Sequence, residues 1–132
     1  MMMPYCSGGD VAHYLRHSQQ LSETVARPLV SQLCSAIEYL HTRNILHRDL
    51  KLSNLLLTGD QKTLYLSDFG LAIQLQGKEE QRHTRCGTPN FIAPEILTES
   101  MAHGFPADMW SLGCILFAIL TGESPFEGLR VR

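Results

Sequence analysis

The residues most able to do chemistry in this chain stand in one short stretch, residues 45–57. Arg48, Asp49, Lys51 and Asn54 interrupt an otherwise apolar run there. Each of them would cost free energy if it were buried without a partner, so a chain that keeps them among leucines and isoleucines is expected to use them. The stretch is therefore predicted to be a functional loop that the rest of the chain positions.

The polar residues of this loop suit phosphoryl transfer. Asp49, Asn54 and the later Asp68 supply two carboxylates and an amide oxygen, the ligands that Mg²⁺ takes alongside substrate phosphates. Lys51 can lie beside the same site and stabilise phosphoryl oxygens while one carboxylate accepts a hydroxyl proton. Taken singly, each of these residues is more often a solvated loop residue, and the tripeptide at 68–70, Asp-Phe-Gly, is weak evidence alone.

Three helices are predicted around the loop. Asp10 is a plausible N-cap for a short helix, and Ser22 for a longer helix that ends at about residue 42. Pro28 lies inside the longer helix and removes one of its hydrogen bonds, so a kink or a late start is expected. A last helix at about 107–121 is apolar on nearly its whole circumference, which predicts burial by surrounding protein.

Short strands and loops connect these helices. Leu55–Leu57 and Leu64–Leu66 are predicted strands joined by a turn at residues 58–60. Residues 76–85 are polar and charged without a period, which predicts a mobile loop. Gly122 is expected to end the last helix.

Length and composition limit the other classes of function. The chain has 132 residues, enough for one domain, and its 44% hydrophobic and 18% charged residues are typical of a globular chain. A net charge of −2 gives no reason to expect nucleic acid or an anionic membrane as a partner. The four cysteines are far apart, which favours free thiols in a reducing compartment. No signal peptide or membrane span is predicted.

Three motifs occur in order along the chain: His-Arg-Asp-Leu-Lys-Leu-Ser-Asn at 47–54, Asp-Phe-Gly at 68–70 and Ala-Pro-Glu at 93–95. This set resembles the larger lobe of a eukaryotic-type protein kinase over nearly the whole chain. The resemblance implies an α+β, protein-kinase-like fold, mainly helical and truncated at both ends. Within residues 1–132 it implies a hinge end at 1–9, a catalytic loop at 45–54, an activation segment at 68–95 and a buried central helix at about 107–121.

The resemblance also implies roles for single residues. Asp49 would be the catalytic base, Lys51 the phosphate contact and Asn54 a magnesium ligand. Asp68 would hold the other magnesium ion. Asp108 would brace the backbone of the catalytic loop.

The activation segment is similar to that of serine/threonine kinases rather than tyrosine kinases, because Gly87-Thr88-Pro89 precedes the Ala-Pro-Glu motif. Thr88 would contact Asp49 and Lys51. Thr84 would be an activating phosphothreonine with Arg48 as its anchor, since a phosphate gives a guanidinium group a bidentate partner. The alternative is that Thr84 is simply a solvated loop threonine.

ATP and Mg²⁺ are the cofactors that the resemblance implies. Pro4 and Cys6 fall at the end of the hinge that binds adenine through backbone groups, and Asp10 matches the acidic residue near the ribose. Val11 and Leu56 would belong to the apolar column under the adenine ring, together with Ile115 and Ile119.

The sequence at 86–95, Cys-Gly-Thr-Pro-Asn-Phe-Ile-Ala-Pro-Glu, looks most like the polo-like kinase group, especially its Sak-type branch. Aurora-like and calmodulin-dependent kinases use similar sequences. The expected partners are ATP and a protein substrate with a serine or threonine acceptor, without nucleic acid or membrane. The expected location is intracellular, in cytoplasm or nucleus, with the centrosome or centriole expected if the Sak-type resemblance holds.

The sequence departs from the family pattern in having no Gly-x-Gly-x-x-Gly loop and no Val-Ala-Ile-Lys strand. It is therefore expected to lack the smaller, ATP-covering lobe that activity needs, and to be inactive as a fragment. Two hypotheses remain open. The chain is either a piece of an active ATP-dependent serine/threonine kinase or a catalytically inactive, kinase-derived binding or decoy module.

Overall fold

The computed structural model describes residues 3–77, 80, 84, 86–97 and 104–126. In these ranges the strands are β1 (Gly9–Asp10), β2 (Ile45–Leu46), β3 (Leu55–Leu57), β4 (Leu64–Leu66) and β5 (Ile73–Gln74). The helices are α1 (Val11–Ser18), α2 (Glu23–His41), α3 (Pro94–Leu97) and α4 (Phe105–Thr121), with 3₁₀ helices at Leu52–Asn54 and Pro89–Phe91. The predicted combination of long helices with short strands is present.

The core forms where α2 and α4 meet the strands that flank the catalytic loop. Helix α2 contributes apolar side chains three or four residues apart, the spacing that places them on one face of a helix. The buried cluster comprises Val11, Leu15, Leu21, Ala26, Leu29, Leu33, Ile37, Leu50, Leu55, Leu57, Leu64, Leu112, Ile115 and Ile119. Because Leu50, Leu55 and Leu57 belong to it, the loop that carries the polar residues is fixed to the core on both sides.

Helix α1 begins as expected, with the Asp10 side chain accepting a hydrogen bond from the His13 backbone N–H at 2.7 Å. Helix α2 begins at Glu23, so the late start expected from Pro28 is wrong. The proline removes the bond to the carbonyl of Thr24, and the helix nevertheless continues from Glu23 to His41.

Gln32 of α2 forms hydrogen bonds with the hairpin of β3 and β4, in addition to the apolar packing between them. Gln32 donates from Nε2 to the Lys62 carbonyl at 2.9 Å, and its Oε1 accepts from the Leu64 N–H at 2.9 Å. Strand β3 lies between β1 and β4 in an antiparallel sheet, and β2 pairs with β5 in a second one. The predicted hairpin is confirmed, and it carries the chain from the catalytic loop to Asp68.

Helix α4 begins at Phe105, slightly earlier than predicted, and its last residue is Thr121. Gly122 caps this end as predicted, with a left-handed φ of 78°. Its expected burial on all sides is wrong for the described residues, because Phe117 is 45% exposed and Leu116 is also exposed. The part of the chain that the structure describes covers one side of α4 and leaves the other open. No helix in the described ranges combines the length and hydrophobicity that a membrane span requires.

The predicted loop at 76–85 lies largely outside the described residues, as do the first two residues of the hinge segment and parts of the activation segment. Only residues 76, 77, 80 and 84 of that loop are described.

The end of α4 gives a test of the fold with a matched pair of glycines. In Gly122→Ala the new Cβ would lie 2.3 Å from the Gln19 carbonyl oxygen at a left-handed φ, so we expect a loss of more than about 1 kcal/mol in the free energy of unfolding. In Gly113→Ala, inside α4, the Cβ meets nothing within 4 Å, so we expect a gain of about 1 kcal/mol. Urea denaturation of both variants measures the two effects, and equal shifts would contradict this account.

Candidate active site

The catalytic loop is held by one buried carboxylate from the first turn of α4. Asp108 accepts the His47 N–H on Oδ2 at 3.0 Å and the Arg48 N–H on Oδ1 at 2.9 Å. His41 Nε2 contacts the same Oδ2 at 2.9 Å. Asp108 is only 2% exposed, so these bonds replace the water that its charge loses on burial. The prediction that Asp108 braces the loop backbone is confirmed.

Two residues of the site adopt left-handed backbone conformations. Arg48 has a φ of 67° and Asp68 a φ of 59°, which costs about 1–3 kcal/mol for a residue other than glycine. The surrounding bonds hold these conformations. The Arg48 side chain donates from Nε to the Leu71 carbonyl at 2.7 Å, which ties the loop to the start of the activation segment.

The activation segment returns to the loop at Gly87. This glycine has a φ of 120°, and a Cβ built on it would lie 3.1 Å from the Arg48 carbonyl oxygen. A side chain here would be strained and crowded, so glycine allows the segment to approach the loop closely. The same segment is also attached to α4, because the Ser111 hydroxyl donates a hydrogen bond to the Phe91 carbonyl at 2.7 Å.

Asp49 is the residue on which the surrounding polar groups converge. Its Oδ2 accepts from Lys51 Nζ at 2.7 Å and from Asn54 Nδ2 at 3.4 Å, and its Oδ1 accepts from the Thr88 hydroxyl at 2.7 Å. Asp49 is 8% exposed. An ionised carboxylate has about four acceptor positions, so these donors leave room for one more hydroxyl. The predicted contact between Thr88 and Asp49 is present.

His47 is a structural residue beside Asp49. It is fully buried, its Nε2 donates to the Ser67 carbonyl at 3.0 Å, and its Nδ1 accepts the Asp49 N–H at 3.3 Å. Burial lowers the pKa of His47 below its ordinary value, more than the Ser67 bond and the charges of nearby aspartates raise it. Its ring also packs edge-on against Phe69, with centroids 5.0 Å apart.

The segments that carry Asn54 and Asp68, the predicted magnesium ligands, are joined by two hydrogen bonds. Both the N–H and the hydroxyl of Ser67, the neighbour of Asp68, donate to the Asn54 carbonyl at 2.9 Å. Asn54 Nδ2 is committed to the Asp49 carbonyl at 2.8 Å, and no described residue donates to its amide oxygen. Asp68 is exposed, and only the Gly70 N–H, at 3.2 Å, contacts its carboxylate among the described groups. This oxygen-donor set fits Mg²⁺.

The structure places some of the residues predicted to bind the nucleotide beside one another and buries another in the core. Asp10 pairs with Leu56 across β1 and β3, and Leu56 keeps some exposed surface. Val11 is 0% exposed, so it supports this strand pair from inside the core and presents no surface to a ligand. Pro4 is exposed and Cys6 is partly exposed, and the Cys6 carbonyl accepts the Gly9 N–H at 3.2 Å.

The predicted regulatory pair is not joined in the structure. Thr84 is exposed, and no hydrogen bond between described residues connects it to Arg48.

Sequence reasoning missed His41 and the role of Ser111. His41 stands at the end of α2, where a histidine is usually explained by its favourable interaction with the carbonyl end of a helix. Ser111 lies in an apolar run that reads simply as a buried helix. Neither position carries a signal of its long-range partner.

Comparison with known proteins adds sequence relationships to this geometry. Residues 1–131 match the family model for the protein kinase domain. Serine/threonine-protein kinase PLK4 of Xenopus laevis is 47% identical over 133 residues, covering 100% of this chain and 14% of that protein. The protein of the same name from Danio rerio is 44% identical with the same coverage. That of Drosophila melanogaster is 41% identical over 128 residues, 96% of this chain and 16% of that protein.

The buried His47 predicts how stability depends on pH. Its pKa is lower in the folded state, so the unfolded chain binds more protons as the pH falls below about 6.5. The free energy of unfolding is therefore unaffected by His47 above that pH, and it falls progressively below it, because the buried ring resists protonation. We expect the free energy of unfolding to fall less between about pH 7.5 and 5.5 in His47→Gln than in the parent, by urea denaturation at each pH. An equal pH dependence in both proteins would contradict this.

Proposed function

The chain belongs to the protein kinase family, and we propose that residues 45–54 and 68–95 form the acceptor side of a site that transfers the γ-phosphoryl group of ATP to a protein serine or threonine hydroxyl. The matches confirm the predicted family and its likeness to the polo-like group, since the relatives are named serine/threonine-protein kinase PLK4. The chain spans only 14% to 16% of the length of those relatives, so the activity of the whole protein is part of the proposal.

The observation that carries the proposal is the environment of Asp49. Its carboxylate is nearly buried yet keeps an acceptor position, while Lys51, Thr88 and Asn54 fix its orientation. A base held in this way can accept the proton of an incoming hydroxyl as that hydroxyl attacks phosphorus. We assign Asp49 this role.

Lys51 and Thr88 position the reacting groups from two sides. The Lys51 ammonium group is 2.7 Å from Asp49 and partly exposed, so it can contact a transferring phosphoryl group without leaving the carboxylate. Thr88 belongs to the activation segment and contacts the opposite oxygen of Asp49. Thr88 thereby fixes the position of the activation segment relative to Asp49. An acceptor peptide bound to the segment would then have its hydroxyl group held close to the Asp49 carboxylate.

Asn54 and Asp68 would hold Mg²⁺, and Asp10 with the backbone near Pro4 and Cys6 would contact the nucleotide. A bound magnesium ion would neutralise phosphate charge during transfer. Asn54 contributes its amide oxygen, because its amide nitrogen already holds the loop. Leu56 offers the exposed apolar surface that an adenine ring would cover. The need for ATP, together with the widely spaced cysteines, supports the expected intracellular location.

Phosphorylation of Thr84 is the proposed means of activation. The Arg48 guanidinium group uses Nε for Leu71 and has further N–H donors for a phosphate. A phosphate between them would join the middle of the activation segment to the catalytic loop.

Replacing the proposed base tests the function most simply. In the natural protein that contains these residues, we expect Asp49→Asn to lower phosphate incorporation from labelled ATP by about 10²- to 10⁴-fold, because the amide cannot accept the proton. Glu38→Gln, an exposed change on α2, is the control and should keep the parent rate. An active Asp49→Asn variant would contradict the proposal, and an inactive parent would favour the binding-module hypothesis.

The regulatory role of Thr84 is tested in the same protein. We expect Thr84→Ala to prevent the rate increase that follows prior phosphorylation, because no phosphate can then join the segment to Arg48. The rate before and after treatment with an activating kinase measures this, with Thr42→Ala as a surface control. Equal activation of Thr84→Ala and the parent would count against the role.

A further inference from the structure

The two predicted magnesium ligands leave the β3–β4 hairpin at its open end. Leu55 pairs with Leu66 as the last register pair of the two strands, so Asn54 and Ser67 form the next pair outward. Asp68 follows Ser67 directly and has a left-handed backbone with a φ of 59°. The bonds of the pair formed by Asn54 and Ser67 therefore decide how far Asn54 lies from the start of Asp68.

This outer pair has only one of the backbone bonds that its register allows. In an antiparallel sheet, a hydrogen-bonded pair exchanges two backbone bonds. The Ser67 N–H donates to the Asn54 carbonyl at 2.9 Å, but the Asn54 N–H donates to the Lys51 carbonyl at 3.1 Å. The Ser67 carbonyl instead accepts from His47 Nε2 at 3.0 Å. One backbone bond is thus left to close this end of the hairpin.

The Ser67 hydroxyl supplies a second bond at the same place. It donates to the Asn54 carbonyl at 2.9 Å, and a carbonyl oxygen has two lone pairs, so both bonds from Ser67 can be accepted there. Ser67 is partly buried, which limits the competition of water for this bond. The side chain therefore replaces the backbone bond that the pair does not make.

We propose that Ser67 is a positioning residue for Mg²⁺ binding, whose hydroxyl fixes the backbone of Asn54 relative to that of Asp68. The inference rests on the proposed function and deepens it. Asn54 is held at its amide nitrogen by the Asp49 carbonyl and at its own carbonyl by Ser67. Its amide oxygen, the metal ligand of the proposed site, is thereby held in one position.

A magnesium site is sensitive to small movements of its ligands. Mg²⁺ demands near-ideal octahedral geometry with oxygens at about 2.0–2.1 Å, so ligands from two segments must keep a fixed separation. Groups that orient metal ligands typically contribute about 10- to 100-fold in metal affinity. The hydroxyl makes one of the two bonds from Ser67 to the Asn54 carbonyl, so we expect its loss to have an effect at the lower end of that range.

Two other roles for the hydroxyl give different results. If it only closes the hairpin, its loss lowers the free energy of unfolding, while folded molecules bind metal as before. If it contacts the nucleotide directly, its loss weakens nucleotide binding in the absence of metal as well. A positioning role changes metal binding and leaves metal-free nucleotide binding unchanged.

The test compares Ser67→Ala, Ser67→Thr and Ser67→Val in the natural protein that contains these residues. Threonine keeps the hydroxyl, and valine has the shape of threonine without it. Mn²⁺ is the probe, and electron paramagnetic resonance measures its dissociation constant from protein saturated with a non-hydrolysable ATP analogue. We expect this constant to rise about tenfold in Ser67→Ala and Ser67→Val and to stay near the parent value in Ser67→Thr. The Mg²⁺ concentration for half-maximal phosphoryl transfer should change in the same order.

Ser35→Ala is the matched control. The Ser35 hydroxyl also donates to a backbone carbonyl, that of Ser31 at 3.1 Å, but on the exposed surface of α2. Its loss should leave Mn²⁺ binding unchanged.

Equal Mn²⁺ dissociation constants for Ser67→Ala and the parent would overturn the proposal, as would equally weakened binding in Ser67→Thr and Ser67→Val. Weaker metal-free nucleotide binding in Ser67→Ala would also overturn it. If Ser67→Val does not fold, the comparison of Ser67→Ala with Ser67→Thr decides.

The proposed function can fail separately. A parent protein that binds Mn²⁺ but shows no Asp49-dependent transfer would refute the function, and the Mn²⁺ dissociation constants would still show whether Ser67 positions the site. A parent protein that binds no Mn²⁺ with the nucleotide would overturn the role of Ser67.

Discussion

The rest of the site depends on the hydrogen bonds between the buried Asp108 carboxylate and the backbone of the catalytic loop. A carboxylate that is 2% exposed must have its charge satisfied within the protein, and here two successive N–H groups and a histidine do this. The carboxylate and the loop backbone depend on each other. The charge needs these donors, and the bond from the Arg48 N–H helps to hold Arg48 in its left-handed conformation.

Asp49 gains its surroundings from this arrangement, because two separate parts of the chain meet at it. The loop contributes Lys51 and Asn54, and the activation segment contributes Thr88. Arg48 lies close to that segment at two places: its side chain donates to the Leu71 carbonyl, and its own carbonyl stands so near Gly87 that a side chain there would be crowded. A change in the activation segment is therefore coupled to Asp49, the proposed base, through a few short contacts, which supports the proposed regulation at Thr84.

The local features of this site could be predicted from the sequence, and its long-range partners could not. Lys51 and Asn54 bond Asp49 as the motif spacing predicts, and the predicted pairing of β3 with β4 brings the chain back to Asp68. His41 was missed because its partner is on another helix, and a single sequence does not show such pairs. Arg48 gave no sign of its left-handed backbone, since arginine rarely adopts it. The open face of α4 was mispredicted because hydrophobicity shows which side chains favour burial, whereas exposure depends on what packs against them.

The central claim is that the Asp108 carboxylate holds the loop that carries Asp49, and hydrogen exchange in Asp108→Asn tests it most directly. The asparagine side chain has the same shape, but an NH₂ donor replaces one of its two oxygens, so one of the two N–H groups loses its acceptor and faces a donor instead. The account predicts that amide exchange at His47 or Arg48 accelerates by about tenfold or more, the equivalent of about 1.4 kcal/mol, while amides in the middle of α2 change less. Unchanged exchange at both residues in a folded Asp108→Asn protein would contradict it.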